Sequence, residues 1–211
     1  MSTSLVEQNR PTLNAFVVAN VVLLYLVIVG FSPNTNPPAV IEAFFKSAAA
    51  MTLVGILTVL LGGLLSPLAK ARIVFLRWED PLPGSRAFTA EILKDPRINQ
   101  AALEKKLGKF PTVAQKQNEE WYRLYKKHED KPSVTQAQTS YLLTTEMAII
   151  GLIAPVIFGI STYFKPAIIE VPYYNYVLAL LIVQLLLTWK AARTYGVSFV
   201  RNVLAEESAG A

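Results

Sequence analysis

The chain has no cysteine. That excludes disulfides, thiolate nucleophiles and Cys-ligated metals. Histidine occurs once, as His128. A metal site there would need companion ligands, and the adjacent Glu129 and Asp130 fall on different helical faces. Charge is scarce too: Asp, Glu, Lys and Arg make up 17% of 211 residues, against ~25% in an average soluble domain. There is no Gly-rich phosphate loop, no G-x-S-x-G and no locally supported Ser/His/Asp set. No catalytic residue and no cofactor is expected. Internal repeats and low-complexity segments are also missing. The start, MSTSLVEQNRPTLN, lacks the basic, then apolar, then small-residue order of a cleaved signal peptide, so the first apolar stretch is expected to be a retained anchor.

What is present is apolar and blocky. Hydrophobic residues make up 53%, and they gather in four stretches of membrane-spanning length. The first runs from about Asn14 to Phe31 and is closed by a proline-rich turn at Pro33, Pro37 and Pro38. Glu42 and Lys46 follow on one helical face, an interfacial lead-in. The second stretch runs from about Ala48 to Ser66, with Gly55, Gly62 and Gly63 permitting close helix approach. The third, about Tyr141 to Phe164, contains Pro155, and the fourth runs from about Tyr173 to Trp189 with aromatic ends. The expected fold is an all-α membrane protein built from two transmembrane hairpins. A helical cytoplasmic module lies between spans two and three. The divisions are 1–66, 67–140, 141–189 and a cytoplasmic tail, 190–211.

Topology follows from the cations. Residues 67–140 hold fourteen Lys/Arg against nine Asp/Glu, whereas the two short loops opposite hold only Lys46 and Lys165. Lys and Arg concentrate on the cytoplasmic side of a bilayer. Residues 67–140 and both termini are therefore expected in the cytoplasm, with the chain in a cell inner membrane. The lipid bilayer is the first expected partner. The excess of positive charge suits an anionic leaflet and does not call for nucleic acid.

The polar region has turn chemistry at each break. LAKARIVFLRW is expected to continue the second span as helix. Pro81, Pro83 and Gly84 make a turn, after which Ser85 is placed to cap a short helix through Ile92. Asp95 is the expected N-cap of a helix that starts at Pro96 and stops at Gly108. A further helix begins near Thr112, with Trp121, Leu124 and Tyr125 on one apolar stripe. The last begins at Ser133 and runs into the third span.

Several side chains are ligand candidates. Arg77 and Arg86 suit a bidentate phosphate contact, with Trp78 stacking on a ring. The alternative is a rigid turn whose arginines pair with Glu79, Asp80 or lipid headgroups. Gln117, Asn118, Trp121 and Arg123 lie together in QNEEWYR, and line either a polar pocket or an ordinary helix with Trp121 inward. His128 reads as a solvated helix end. At membrane depth Glu146 is a functional candidate by default. Asn20, Gln184 and Thr188 either bond between helices or line a pathway, and helix packing is the favoured reading.

The strings RWEDPLPGSRAF (Arg77–Phe88), KDPRI (Lys94–Ile98) and QNEEWYRLY (Gln117–Tyr125) resemble a pattern in uncharacterised bacterial membrane proteins. Two hairpins around a compact cytoplasmic module resemble the small transmembrane effectors of bacterial anti-phage defence systems. That resemblance implies a regulated membrane effector or sensor. Its cytoplasmic module would bind a partner protein or nucleotide-like ligand, and its helices would open or form a homo-oligomer. A constitutive channel or transporter, and a membrane scaffold or assembly factor, are the other expectations.

Overall fold

A computed structural model describes residues 5–29, 36, 38–39, 42, 48–164 and 171–210. The chain is helical throughout, with no strand among the described residues. Seven α-helices are formed among the described residues: α1 (Leu5–Val29), α2 (Ala48–Gly63), α3 (Pro67–Phe75), α4 (Gln100–Leu107), α5 (Ala114–His128), α6 (Pro132–Phe164) and α7 (Val171–Ala209). A 3-10 turn, Pro83–Arg86, and a π-helical turn, Ala87–Glu91, lie between α3 and α4. Two stretches, Pro132–Ile160 and Asn175–Ala209, are long and apolar enough to cross a membrane, with mean hydropathies of 2.0 and 1.5. The charge-free part of α7 ends at Trp189, and Lys190 is the first cation after it. A third span results only if the broken pair α2 and α3 is counted as one.

The chain divides into two compact units. The first contains residues 1–65 and 146–189, and so includes α1, α2 and the apolar parts of α6 and α7. Its interior holds Ala154 and Phe158 of α6 against Val177 and Leu181 of α7, with Leu23 of α1 alongside. Outward-facing residues are also apolar: Val59 and Leu60, Val156 and Ile160, and Val183 and Leu187 are all exposed. A helical layer that is apolar inside and out suits lipid rather than water. A polar bridge between helices joins Gln184 to Asn20. Gln184 Nε2 donates to Asn20 Oδ1 at 2.9 Å, and Asn20 Nδ2 donates to the Phe16 carbonyl at 2.9 Å.

The second unit contains residues 66–145 and 190–211. Its core joins Phe88, Ile92, Leu103, Trp121, Leu124 and Val134 to Phe199, Val200, Val203 and Leu204 of α7. Each such burial stabilises by about 1.5–3 kcal/mol. Phe199 is the hub. It meets the Trp121 ring edge-on at 5.1 Å and the Tyr125 ring at 5.2 Å, the T-shaped arrangement that ring quadrupoles favour. Residues 190–209, set apart by sequence as a tail, are therefore an integral helix of this core.

Other boundaries also differ from expectation, each for a local reason. α2 does not continue through LAKARIVFLRW. It stops at Gly63, and Ser66 starts a new helix by accepting the Ala69 N–H at 3.2 Å, with Pro67 in the first turn. Ser85 is not a cap but a buried member of the 3-10 turn. Asp95 is not one either. Its carboxylate takes the Arg97 N–H and side chain, and Asn99 caps α4 by accepting from Ala102 at 3.1 Å. Gly108 does end that helix, at φ +77°. α6 starts at Pro132 and continues through Pro155. Of the expected first span, Phe31 lies outside the described residues, as do Pro33, Pro37, Lys46 and Lys165.

Gly84 has a packing role. A Cβ built there would sit 2.5 Å from Trp121 Cε3 and 2.6 Å from Asn118 Oδ1. Neither neighbour can withdraw easily, because Trp121 is wedged in the core. Gly84→Ala is expected to cost about 1–3 kcal/mol, read as a lower unfolding midpoint in detergent. Gly159→Ala meets no atom within 4 Å and should leave the midpoint within about one degree or raise it.

Candidate functional site

The turn after α3 is shaped by two left-handed residues that are not glycine. Leu76 (φ 52°) ends the helix, and Asp80 (φ 44°) redirects the chain. Both Arg77 N–H and the helix-ending Leu76 N–H reach the Arg72 carbonyl, and Arg72 Nε donates to the Trp78 carbonyl at 3.2 Å. The loop is thus held from below while its side chains face out. Trp78 is 82% exposed. It borders an open groove of about 630 Å³, which Asp80, Glu119 and Asn118 also line. Non-glycine residues in the left-handed region cost free energy, and such strain concentrates at functional loops.

Arg86, nine residues on, behaves differently. It ends the 3-10 turn, and its guanidinium lies over the Phe75 ring, 5.6 Å from the centroid. Its NH1 nitrogen is buried with no hydrogen-bond partner among the described residues. Burial lowers the Arg86 pKa from its ordinary value, and the nearby charges of Arg77 and Arg193 lower it further, while Glu91 works the other way. Glu91 is already engaged: its Oε2 accepts from Arg201 Nε at 3.1 Å and NH2 at 2.9 Å.

The remaining candidates separate. Gln117 is buried, and its amide is fully used. Oε1 accepts from Phe88 N at 3.0 Å, Thr89 N at 3.2 Å and Thr89 Oγ1 at 3.2 Å, and Nε2 donates to the Thr112 carbonyl at 3.0 Å. It pins the π-helical turn to α5. Trp121 belongs to the core. Arg123 is exposed, pairs with Glu120 one turn away, and borders a second groove of about 430 Å³ with Lys109, Lys116 and Phe110. In the first unit, Glu146 Oε2 lies 3.8 Å from where a Gly62 Cβ would be. Gln184 is occupied by Asn20, as helix packing requires. The structure therefore brings Arg77 to Arg86 and Trp78 to Asn118, and gives Gln117 and Trp121 to the fold.

Sequence reading missed a second cluster. His128 is not a solvated end: its side chain is 11% exposed and bonded through Nε2 to Glu207. The Glu207 carboxylate, 1% exposed, also takes Lys106 at 2.8 Å and Lys127 at 2.9 Å. Lys106 reaches the Gly210 carbonyl as well, at 3.1 Å, closing the end of α7. Neighbouring contacts extend this seam, with Ser133 Oγ donating to Glu206 and Asn202 Nδ2 to the Ser133 carbonyl. A helical period was available as a signal: Phe199, Val200, Val203, Leu204 and Glu207 share one face. No group of three or more potential metal-ligating side chains gathers among the described residues.

Together these features define the class: an all-helical protein with two helices long and apolar enough to cross a membrane and a folded, ion-paired helical unit. No family model, curated protein or solved structure matches the chain.

The Glu207 cluster has a pH signature. Burial opposes the charged carboxylate, but hydrogen bonds from Lys106, Lys127 and His128 outweigh it and hold the pKa at about 2. Because this lies below the ordinary 4.5, the group adds stability above pH ~4.5 that is lost as the pH falls toward 2. Glu207→Gln is expected to lower the unfolding midpoint at pH 7, and its gap from wild type should close across that acid window. A gap independent of pH would show that the carboxylate charge is not the source.

Proposed function

We propose that the protein is a regulated integral-membrane effector or sensor. Its second unit, residues 66–145 with 190–211, binds a cytoplasmic partner or small ligand and changes the state of the membrane helices. One observation carries this reading. α6 and α7 each contribute one part to the second unit and another to the first. A rearrangement of the second unit therefore acts on the same continuous helices that carry the apolar stretches. Helices transmit such shifts because packed cores favour discrete arrangements over continuous deformation.

In this reading four helices cross the bilayer: α1, α2, and the apolar parts of α6 and α7. The exposed apolar surface of the first unit is the lipid-facing surface. A constitutive pathway through Gln184 is less well supported, because its amide already bonds Asn20. The antiviral setting and a homo-oligomeric form rest on the resemblance of two hairpins around a compact module to small transmembrane effectors of anti-phage systems.

Two experiments test it. The chain has no cysteine, so single cysteines report topology without background. In right-side-out bacterial spheroplasts a membrane-impermeant maleimide should label Asn36→Cys and spare Thr112→Cys, an exposed position of the second unit. Labelling of Thr112→Cys in intact spheroplasts would overturn the orientation. For activity, dye entry into cells expressing wild type is expected to rise severalfold under an inducing condition such as phage infection. The Arg77→Ala/Arg86→Ala variant, present at equal level in the membrane, should not respond. Equal permeability of the two under every condition would count against a regulated effector, and dye release from liposomes without any ligand would favour a constitutive channel.

A further inference from the structure

We propose that Arg86, with Arg77 and Arg193, forms a binding site for a phosphate group. The site gives a ligand class to the second unit and rests on the effector reading above.

The argument begins at the Arg86 guanidinium. A buried nitrogen of a charged group is normally hydrogen-bonded, and leaving one unpaired costs about 1–3 kcal/mol or more. The Arg86 NH1 nitrogen is in that position among the described residues. Arg86 is also placed rather than loose. Its 3-10 turn is anchored by the Ser85 N–H on the Leu82 carbonyl, and its guanidinium plane rests over Phe75. Phe75 is fixed in turn by Gly196, where a Cβ would come 2.7 Å from the ring's Cζ. Contact with the ring holds the guanidinium carbon over Phe75 and supplies no hydrogen-bond acceptor to NH1.

The surrounding charges have the wrong sign for a self-sufficient ion pair. Arg77 and Arg193 are near enough to disfavour the Arg86 cation. Glu91 is the acid near enough to favour it, yet its Oε2 is gripped twice by Arg201. Gathering like charges costs free energy, and an anion among them reverses the sign of that term. A phosphate group matches the guanidinium fork in shape and charge and can be shared by several arginines. A carboxylate ligand would have fewer oxygens to divide among three cations.

Phosphate can reach this place from two sources. Arg193 lies four residues beyond Trp189, the last residue of the charge-free stretch of α7, which is about 6 Å along a helix. A lipid phosphate is therefore within reach, and so is a soluble phosphate approaching past the exposed Arg77.

The test uses the full chain in lipid nanodiscs and reads its thermal unfolding midpoint. One arm compares phosphatidylcholine discs with discs containing phosphatidylglycerol, at fixed ionic strength. The other keeps phosphatidylcholine and adds inorganic phosphate or pyrophosphate against a chloride control. A rise of about 5 °C is expected in one arm, the size produced by a ligand well above its Kd, and the arm identifies the source. Arg86→Met and Arg77→Ala should lose the rise, and Arg123→Ala, paired with Glu120, should keep it. Arg77 is exposed, so its variant serves even if Arg86→Met fails to fold. No rise in either arm, or a rise that Arg77→Ala retains in full, overturns the site. Dye entry into cells is read separately: a phosphate-dependent rise without regulated permeability supports the site and removes the effector reading. Regulated permeability with no rise does the reverse.

Discussion

A carboxylate buried to 1% exposure, Glu207, must be neutralised where it lies, and the second unit is arranged around that need. Water cannot help it, so the countercharges must come from the chain. They come from Lys106 on α4 and Lys127 near the end of α5, with His128 bonded to the same carboxylate. These helices are therefore held to the last turns of α7 by charge and geometry together. The same four turns of α7 supply Phe199, Val200, Val203 and Leu204 to the core. Apolar burial supplies most of the stabilisation, but it is non-directional. The ion pairs and the Arg97–Asn202–Ser133 hydrogen bonds fix the rotation of α7 about its axis.

That placement explains how one helix belongs to both compact units. Through Trp189 α7 is uncharged, and its exposed large side chains are leucine, isoleucine, valine and Tyr176. From Lys190 on, it becomes amphipathic, with one face in the core and arginines along its flanks. The change takes place within an unbroken helix, so backbone hydrogen bonding is never interrupted as the surroundings change. α6 makes the same transition in reverse. By contrast α2 and α3 are separated at 64–66, where Pro67 could not sit inside a helix without losing a bond. Continuity and breakage are thus both set by local backbone chemistry.

What was legible in the sequence follows the same division. The Trp121, Leu124 and Tyr125 stripe and the Gly108 stop arise from periodicity or a single φ requirement. Each can be judged from nearby residues. Misread features depend on partners far away in the chain. Asp95 and Asn99 are equivalent as caps until Arg97 claims the first. His128 and Glu207 are 79 residues apart and Glu91 and Arg201 are 110 apart, so nothing local marks either as paired. Residues 190–209 looked like a tail because their apolar face has meaning only against a core assembled from 87–137. In the candidate site, Arg77, Trp78 and Arg86 stood out by composition, whereas Arg193 could be joined to them only by the fold.

The two kinds of charge in the second unit answer one another. At Glu207, two lysines and a histidine converge on one acid and both oxygens are used. Around Arg86 two further arginines gather, and the nearby acid is held by a third. The unit satisfied its buried acid completely and left a buried guanidinium nitrogen unsatisfied, beside a strained loop with two left-handed residues and an exposed tryptophan. A fold able to build the first arrangement has no chemical obstacle to building its mirror at the second, since one more carboxylate near Arg86 would suffice. Its absence places the cost where an incoming anion would repay it. In a unit that shares α6 and α7 with the apolar unit, that is where binding energy could be converted into a change of helix arrangement.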